Sequence, residues 1–319
     1  MRTKLTRVVL SSAVLAISGA LTACKPADRA AADSSAIPKD DFGNAISFAA
    51  RPTRIVSLNP TTTEILFAIG AGSRLVGRSK WDSWPDSAKA VTNVGEAMQP
   101  NVESVLNTHP DLVVFYASND NRAAEGRLRA AGIRTIALRI DSIAQFRRAT
   151  KLLGRLTGDS ARAVAVVDSV DATLDRVRAA TKDLKKVTVF FHTWNSPIIT
   201  IGAQSFLNDL TEIAGGTNVY GDIQKVAPVV TLEDVVKRNP DVMLVGPATA
   251  KMMLSSPQWQ AVPAVKAKRV FVYDTNTVGR PSVKLGMGAV NIANLLHPGL
   301  FVGHPEPKAK DLGQAQHSK

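Results

Sequence analysis

The residues of this chain that could do chemistry are scattered, and no group of them has the spacing that catalysis requires. The five histidines, His109, His192, His297, His304 and His317, share no metal-ligand spacing. His109 and His297 each precede a proline and read as turn residues, and His192 reads as a satisfied polar group. There is no phosphate-loop motif, no GxSxG elbow and no HExxH helix. Gly70-Ala71-Gly72 and Gly77 follow a helical stretch, where a nucleotide motif would join a strand to a helix. With no nucleophile–base pair and no clustered metal ligands, the chain does not read as an enzyme, and no cofactor is expected. What remains is a set of aromatic and polar side chains placed just after short apolar runs. A site for a bulky, partly apolar guest needs aromatic walls and a few polar fixers. Aromatics are only 5% of the chain, so each one that follows a strand matters. Asn59, Pro60, Trp81, Tyr116, Trp194 and Arg280 are the candidate ligand contacts. Trp84, beside Pro85, and Trp259 read as packing.

These side chains need elements to position them. Arg54–Leu58, Leu112–Tyr116, Thr135–Leu138, Val187–Phe191, Asp241–Gly246 and Arg269–Asp274 are apolar runs of strand length, with helical stretches between them. Strands alternating with helices predict parallel βαβ units covered on both faces. Thr61-Thr62-Thr63-Glu64 fits a capping box at the start of the first helix, and Gly70 stops it. Asn59-Pro60 then lies at the carboxyl end of a strand, the edge where open α/β sheets bind ligands.

An internal repeat organises the chain. Asn101-Val102-Glu103-Ser104-Val105-Leu106 leads into His109-Pro110-Asp111-Leu112-Val113, and Thr231-Leu232-Glu233-Asp234-Val235-Val236 leads into Asn239-Pro240-Asp241-Val242-Met243, 130 residues on. Two copies predict two similar α/β lobes rather than a solenoid. Val167, Val170, Leu174, Val177, Thr181 and Leu184 recur at helical spacing over Asp159–Leu184, which predicts one long helix of about 38 Å joining the lobes. A helical joint is stiff, so small lobe motion is expected.

The N-terminus carries export signals. Arg2, Lys4 and Arg7 precede the apolar run Val8–Ala20, which is 13 residues long and too short to span a bilayer. Leu21-Thr22-Ala23-Cys24 follows and resembles a lipobox, with Cys24, the only cysteine, as the lipidated residue. The net charge of +12 invites a nucleic-acid reading, but export and the lack of a basic run with interleaved aromatics argue against it. The expected organisation is a signal peptide over 1–23, a flexible tether over 24–50, an N-terminal lobe over 51–155, a linking helix over 156–185, a C-terminal lobe over 186–298 and a loose tail over 299–319.

Arg54-Ile55-Val56-Ser57-Leu58-Asn59-Pro60-Thr61 with Thr63-Glu64 resembles the opening of the cobalamin- and siderophore-type binding proteins of ABC importers. Asn101-Val102-Glu103 with Pro110-Asp111-Leu112-Val113, Ile201-Gly202-Ala203-Gln204-Ser205-Phe206-Leu207 and Thr231-Leu232-Glu233-Asp234-Val235 extend the resemblance over about residues 51–298, with vitamin B12 binders nearest. The resemblance implies two Rossmann-like lobes with parallel sheets joined by a single long α-helix, the class III periplasmic binding protein type. It implies a metal-chelate ligand between the lobes, cobalamin by preference, with haem or a ferric siderophore as alternatives. It also implies a monomer, tethered outside the cytoplasm through Cys24, that docks on an ABC permease dimer with its ATPase. Glu103 and Glu233 match the acidic residues that such proteins use for docking. Ala97 and Ala227 stand where cobalamin binders place tryptophan, and Asn276 stands where they place an acidic residue near Arg280. A periplasmic hydrolase and a sensory lipoprotein are the other readings of an exported two-lobed chain.

Overall fold

In a computed structural model, which describes residues 38–301, two four-stranded parallel sheets form two lobes. The first contains β1 (Ile55–Leu58), β2 (Leu75–Arg78), β3 (Leu112–Tyr116) and β4 (Arg134–Leu138) in the order β2-β1-β3-β4. After β5 (Val187–Phe191) comes an antiparallel hairpin of β6 (Trp194–Asn195) and β7 (Ile198–Ile199). β8 (Gly216–Asn218), β9 (Val242–Val245) and β10 (Val270–Val272) complete the second sheet in the order β10-β9-β5-β8. Counted within its own lobe, each sheet runs second, first, third, fourth, so the two lobes share one topology.

The helices α1 (Pro60–Ala68), α2 (Val102–Leu106), α3 (Arg122–Ala130) and α4 (Ile143–Thr157) belong to the first lobe. α5 (Ser160–Thr181) joins the lobes. α6 (Phe206–Ile213), α7 (Leu232–Arg238), α8 (Pro247–Ser255), α9 (Pro263–Lys266), α10 (Thr275–Val278) and α11 (Leu285–Leu296) belong to the second. The strands read as unbroken apolar runs because both sheet faces are buried. Ile55, Val114 and Leu138 face one core, and Val56, Val113 and Phe115 face another. The first of these cores continues along Val170, Leu174 and Val177 of α5 to Phe191, Leu210 and Ile292 of the second lobe. The connecting helix is therefore a shared wall of one core, which couples the lobes far more tightly than a solvated strut would.

The repeat is visible in the folded chain. Residues 101–110 and 231–240 have the same position-by-position pattern of exposure, with Val105 and Val235 as the buried anchors. His109 and Asn239 both adopt left-handed backbone, at φ 48° and 45°, to turn the chain into Pro110 and Pro240.

Several expectations are corrected. The first helix has no capping box: Asn59 is the cap, its side chain accepting from the Thr61 N–H at 3.0 Å, and Glu64 points elsewhere. The tether expected up to residue 50 is pinned over its described part. Asp41 N–H donates to the Ala137 carbonyl at 2.9 Å, Ala137 N–H donates to the Asp40 carboxylate at 3.0 Å, and Arg148 pairs with Asp41 at 2.5 Å. Ile46 is buried behind this clasp, so residues 38–48 close the free edge of β4. The joining helix starts at Ser160, because Gly158 at φ 79° ends α4 in a left-handed cap. It ends at Thr181, giving a rod of about 33 Å. Leu300 and Phe301 pack on the core, so the loose tail does not begin at 299. β2 and β8 were not anticipated.

Candidate functional site

The carboxyl ends of the strands carry the candidate contacts. Asn59 follows β1, Tyr116 is the last residue of β3, and Trp81 lies in the loop after β2. Trp194 opens the hairpin after β5, and Arg280 follows β10 and α10. Side chains that cross between the lobes bring these two edges together. Glu64 of α1 places Oε1 3.3 Å from Arg280 Nε and 3.3 Å from Lys284 Nζ. Lys284 Nζ also sits 4.9 Å from the Trp84 ring centroid, a cation–π contact between the lobes.

This junction is nearly dry. The side chains of Glu64 and Lys284 are 1% and 4% exposed, while Arg280 stays 31% exposed. Asp82 is buried close by and accepts the hydroxyls of Thr63 and Ser79, each at 2.7 Å. Burial raises the Glu64 carboxyl above its ordinary range, and the charges of Lys284 and Arg280 oppose the rise. Burial raises Asp82 as well, opposed by its Thr63 and Ser79 hydrogen bonds and by Arg280. Burial pushes Lys284 down, against the pull of Glu64 and Asp274. Three carboxylates, Glu64, Asp82 and Asp274, therefore surround two cations, Arg280 and Lys284. Nearby, Asn59 Nδ2 is buried without a hydrogen-bond partner.

Exposed apolar side chains also lie in the loops that follow the strands of each lobe. Trp81 is 59% exposed, its Nε1 donating to Glu96 at 3.2 Å. Lys80 pairs with the same Glu96 carboxylate and lies 4.8 Å from the Trp81 ring centroid. Trp194 is 62% exposed, its Nε1 donating to the Ser196 carbonyl at 3.1 Å. Val226 and Val229 are exposed in the segment that bridges to the hairpin through Ile199. On the first lobe Met98 is exposed, its sulfur accepting from Ser118 and from Asn121, and Asn121 also donates to the Tyr116 carbonyl at 3.0 Å. Tyr116 O–H donates to Asp141 at 2.8 Å. Burial, followed by Asp141, pushes its pKa up to about 12, so Tyr116 presents a neutral phenol.

Glu64, Asp82, Lys284, Glu96 and Met98 were missed at the sequence level. Glu64 fitted a capping pattern, and its ionic partners lie more than two hundred residues away. Met98 and Val226 sit beside Ala97 and Ala227, the two positions where the resemblance led to tryptophan. Trp84 and Trp259 pack as expected, Trp259 within the outer core of the second lobe. His192 joins that outer core, its ring 5.9 Å from Trp259 and 6.3 Å from Phe190; burial pushes its pKa down, and both ring nitrogens are buried without a hydrogen-bond partner, so it is not the satisfied polar group the sequence suggested. Glu103 and Glu233 are exposed in the first turns of α2 and α7. Cys24 lies outside the described residues. Among the described residues no cluster of His, Cys, Asp or Glu could hold a metal ion, and no helix is long and apolar enough to cross a membrane.

Two topologically matched lobes, joined at their strand ends by Glu64, Arg280 and Lys284 and carrying exposed Trp81 and Trp194 in strand-end loops, have the layout of a binding protein. Residues 55–277 match the family described as periplasmic binding protein, and the chain belongs to that family. The family consists of substrate-binding proteins of transport systems. The chain is 30% identical over 271 residues to the uncharacterised ABC transporter substrate-binding lipoprotein YvrC of Bacillus subtilis, covering 82% of this chain and 86% of that one. It is also 30% identical over 318 residues to a cobalamin-binding protein of Halobacterium salinarum, covering 91% of this chain and 83% of that one. A crystal structure described as a possible iron-binding, periplasmic solute-binding protein of Staphylococcus epidermidis superposes with a TM-score of 0.70 at 28% identity, over 78% of this chain and all of that one.

Proposed function

We propose that this chain is the extracytoplasmic substrate-binding component of an ABC importer and that it holds a corrinoid between its lobes. The observation that carries the ligand reading is that the cations at the junction between the lobes are already matched by carboxylates, while the strand-end loops carry two exposed indoles. Arg280 and Lys284 face Glu64, Asp82 and Asp274, so the junction offers no net positive field. Haem brings two propionates and many ferric siderophores bring several negative charges, and such guests gain little from a cation that is already neutralised. A corrinoid is a broad macrocycle edged with uncharged carboxamides. Trp81, Trp194, Met98, Val226 and Val229 give it apolar walls, and the neutral, partly exposed Tyr116 phenol gives its amide edge a polar partner. The name of the Bacillus relative supports the importer reading, and that of the Halobacterium relative supports the corrinoid.

In this reading Glu103 and Glu233, at equivalent places on α2 and α7, are the docking carboxylates. Two like lobes would meet a twofold permease dimer with like contacts. Cys24 carries the lipid, and the protein works as a monomer with no resident cofactor. The test is a titration of the purified mature chain with cyanocobalamin, read by tryptophan fluorescence and visible absorption. Saturable quenching with micromolar or tighter affinity is expected. Absence of quenching, or tighter binding of haemin than of cyanocobalamin, would rule the corrinoid reading out.

A further inference from the structure

We propose that the edge of the second lobe where its strands begin is a docking surface for an anionic phospholipid bilayer. Six exposed cations meet there: Lys185 and Lys186 before β5, Lys237 near the end of α7, and Lys266, Lys268 and Arg269 between α9 and β10. β9 lies between β5 and β10 in the sheet, so the three segments are neighbours. Asp241, just before β9, sits among them. The Thr188 N–H does most to hold its carboxyl down, and Arg269 and Lys185 add to that. Lys182 is matched by Asp183 at 3.8 Å. Asp241 and Glu212 are the nearby carboxylates left to oppose the six, and they accept from Thr188 and Asn208. The edge therefore carries an excess of positive charge.

The matching edge of the first lobe spends its cations on the fold. Arg54 donates to the carbonyls of His109 and Thr108 at 2.8 and 2.7 Å, Arg74 to that of Thr157 at 2.7 Å, and Arg134 to that of Ala50 at 2.8 Å. In the second lobe Lys186 reaches the Glu212 carbonyl at 3.3 Å, but among the described residues Lys237, Lys266 and Lys268 make no side-chain hydrogen bond or ion pair. Their charges are not needed to hold the lobe together.

The chemistry of the edge selects its partner. Leu184 is 37% exposed in the middle of the loop that carries Lys182, Lys185 and Lys186. An apolar side chain flanked by lysines suits a bilayer surface, where the leucine enters the headgroup boundary and the flexible ammonium groups meet lipid phosphates. A single-stranded nucleic acid would want aromatic side chains for stacking, and none stands among these cations. The family serves transport systems, which places its members beside a membrane. With this edge on the bilayer, the carboxyl ends of the same strands, and Trp194 after β5, point away from it. The cleft then stays open to solvent, and the docking proposed for Glu233, at the other end of α7 from Lys237, requires release from the lipid.

The experiment measures co-sedimentation with vesicles of the full mature chain, carrying Cys24→Ser so that no attached lipid tethers it. The vesicles are phosphatidylcholine alone or phosphatidylcholine with about one-third phosphatidylglycerol. The chain should bind the anionic vesicles about tenfold more tightly at low salt, and high salt should abolish the difference. Lys185→Glu/Lys268→Glu should weaken binding to the anionic vesicles about tenfold, and Lys237→Glu/Lys266→Glu, an independent pair on the same edge, should do the same. Arg127→Glu/Lys151→Glu removes the same net charge from exposed positions on α3 and α4 and should change binding less than about twofold. Thermal denaturation checks that each variant is folded. Equal binding to the two kinds of vesicle, unchanged affinity in either second-lobe pair, or an equal loss in the first-lobe pair overturns the proposal. So does release by millimolar soluble glycerol phosphate, which would mark a pocket for a single headgroup in place of a bilayer surface. The readout uses no cleft ligand, so failure of the corrinoid reading leaves it intact.

Discussion

Asp111 and Asp241 each accept both the backbone N–H and the hydroxyl of one threonine, one pair in each lobe. Asp111 accepts the Thr53 N–H at 2.7 Å and its hydroxyl at 2.8 Å, and Asp241 accepts the Thr188 N–H at 2.9 Å and its hydroxyl at 2.8 Å. Each aspartate ties the start of a central strand to the turn before its neighbour. Asp111→Ala and Asp241→Ala should each cost about 1–2 kcal/mol, and the losses should add because the sites lie in different lobes. Thermal denaturation of both single variants and the double variant checks this. The Thr188 bonds hold the Asp241 carboxyl below its ordinary value of 3.8. Its contribution is therefore present above that value and is lost as pH falls through the lower, folded one.

Asp82 carries the opposite sign. Burial raises its folded value above the ordinary 3.8. Between those two values the folded protein binds more protons than the unfolded chain, so stability declines as pH rises through the window. Asp82→Asn removes this contribution. The stability difference between wild type and Asp82→Asn should move against wild type as pH rises from 3.8 through the raised value, as measured by denaturant titration. A difference that does not change with pH would mean that Asp82 has no raised value.

Trp81 and Trp194 are held by single indole hydrogen bonds and leave most of their surface open. Replacing either with alanine should weaken cyanocobalamin binding about tenfold and leave the melting temperature nearly unchanged. Trp259→Ala should do the reverse. It is 4% exposed in the outer core, and its loss should cost about 3–5 kcal/mol with little effect on affinity in the protein that remains folded. Calorimetry of binding and thermal denaturation separate the two effects.

The legible parts of this fold were those with local signatures. β1, β3, β4, β5 and β9 are apolar runs long enough to stand out, and the two-lobe topology followed from the copied Glu-x-x-x-x-x-x-Pro-Asp spacing around Glu103 and Glu233. β2 and β8 did not stand out, because they are edge strands of four and three residues with Gly77, Arg78, Gly216 and Asn218 in them. Glu64 fitted a local rule that the structure does not use, because a long-range ion pair leaves no periodic trace. The clasp of Asp40 and Asp41 was hidden for a related reason: its partners are backbone groups in and just after β4 and the distant Arg148, and local sequence pattern cannot reveal them.

Charge reversal tests the docking role proposed for Glu103 and Glu233. Glu103→Lys and Glu233→Lys lie on exposed first turns, away from the junction of Glu64 and Lys284. Ligand affinity should be unchanged in both variants. Uptake by cells that depend on this importer should fall at least tenfold, and more in the double variant. Normal uptake with intact ligand binding would remove the docking role.

The clasp over β4 leaves the two sheets unequal in one respect. β10 holds the matching edge of the second sheet, Val272 there is 43% exposed, and no described segment pairs with its outer side. An open strand edge is where a foreign strand can add. Self-association under stress should therefore begin at the second lobe. Weakening the Asp40 and Asp41 contacts would give the first lobe the same liability at β4, uncovering a border that the clasp now occupies.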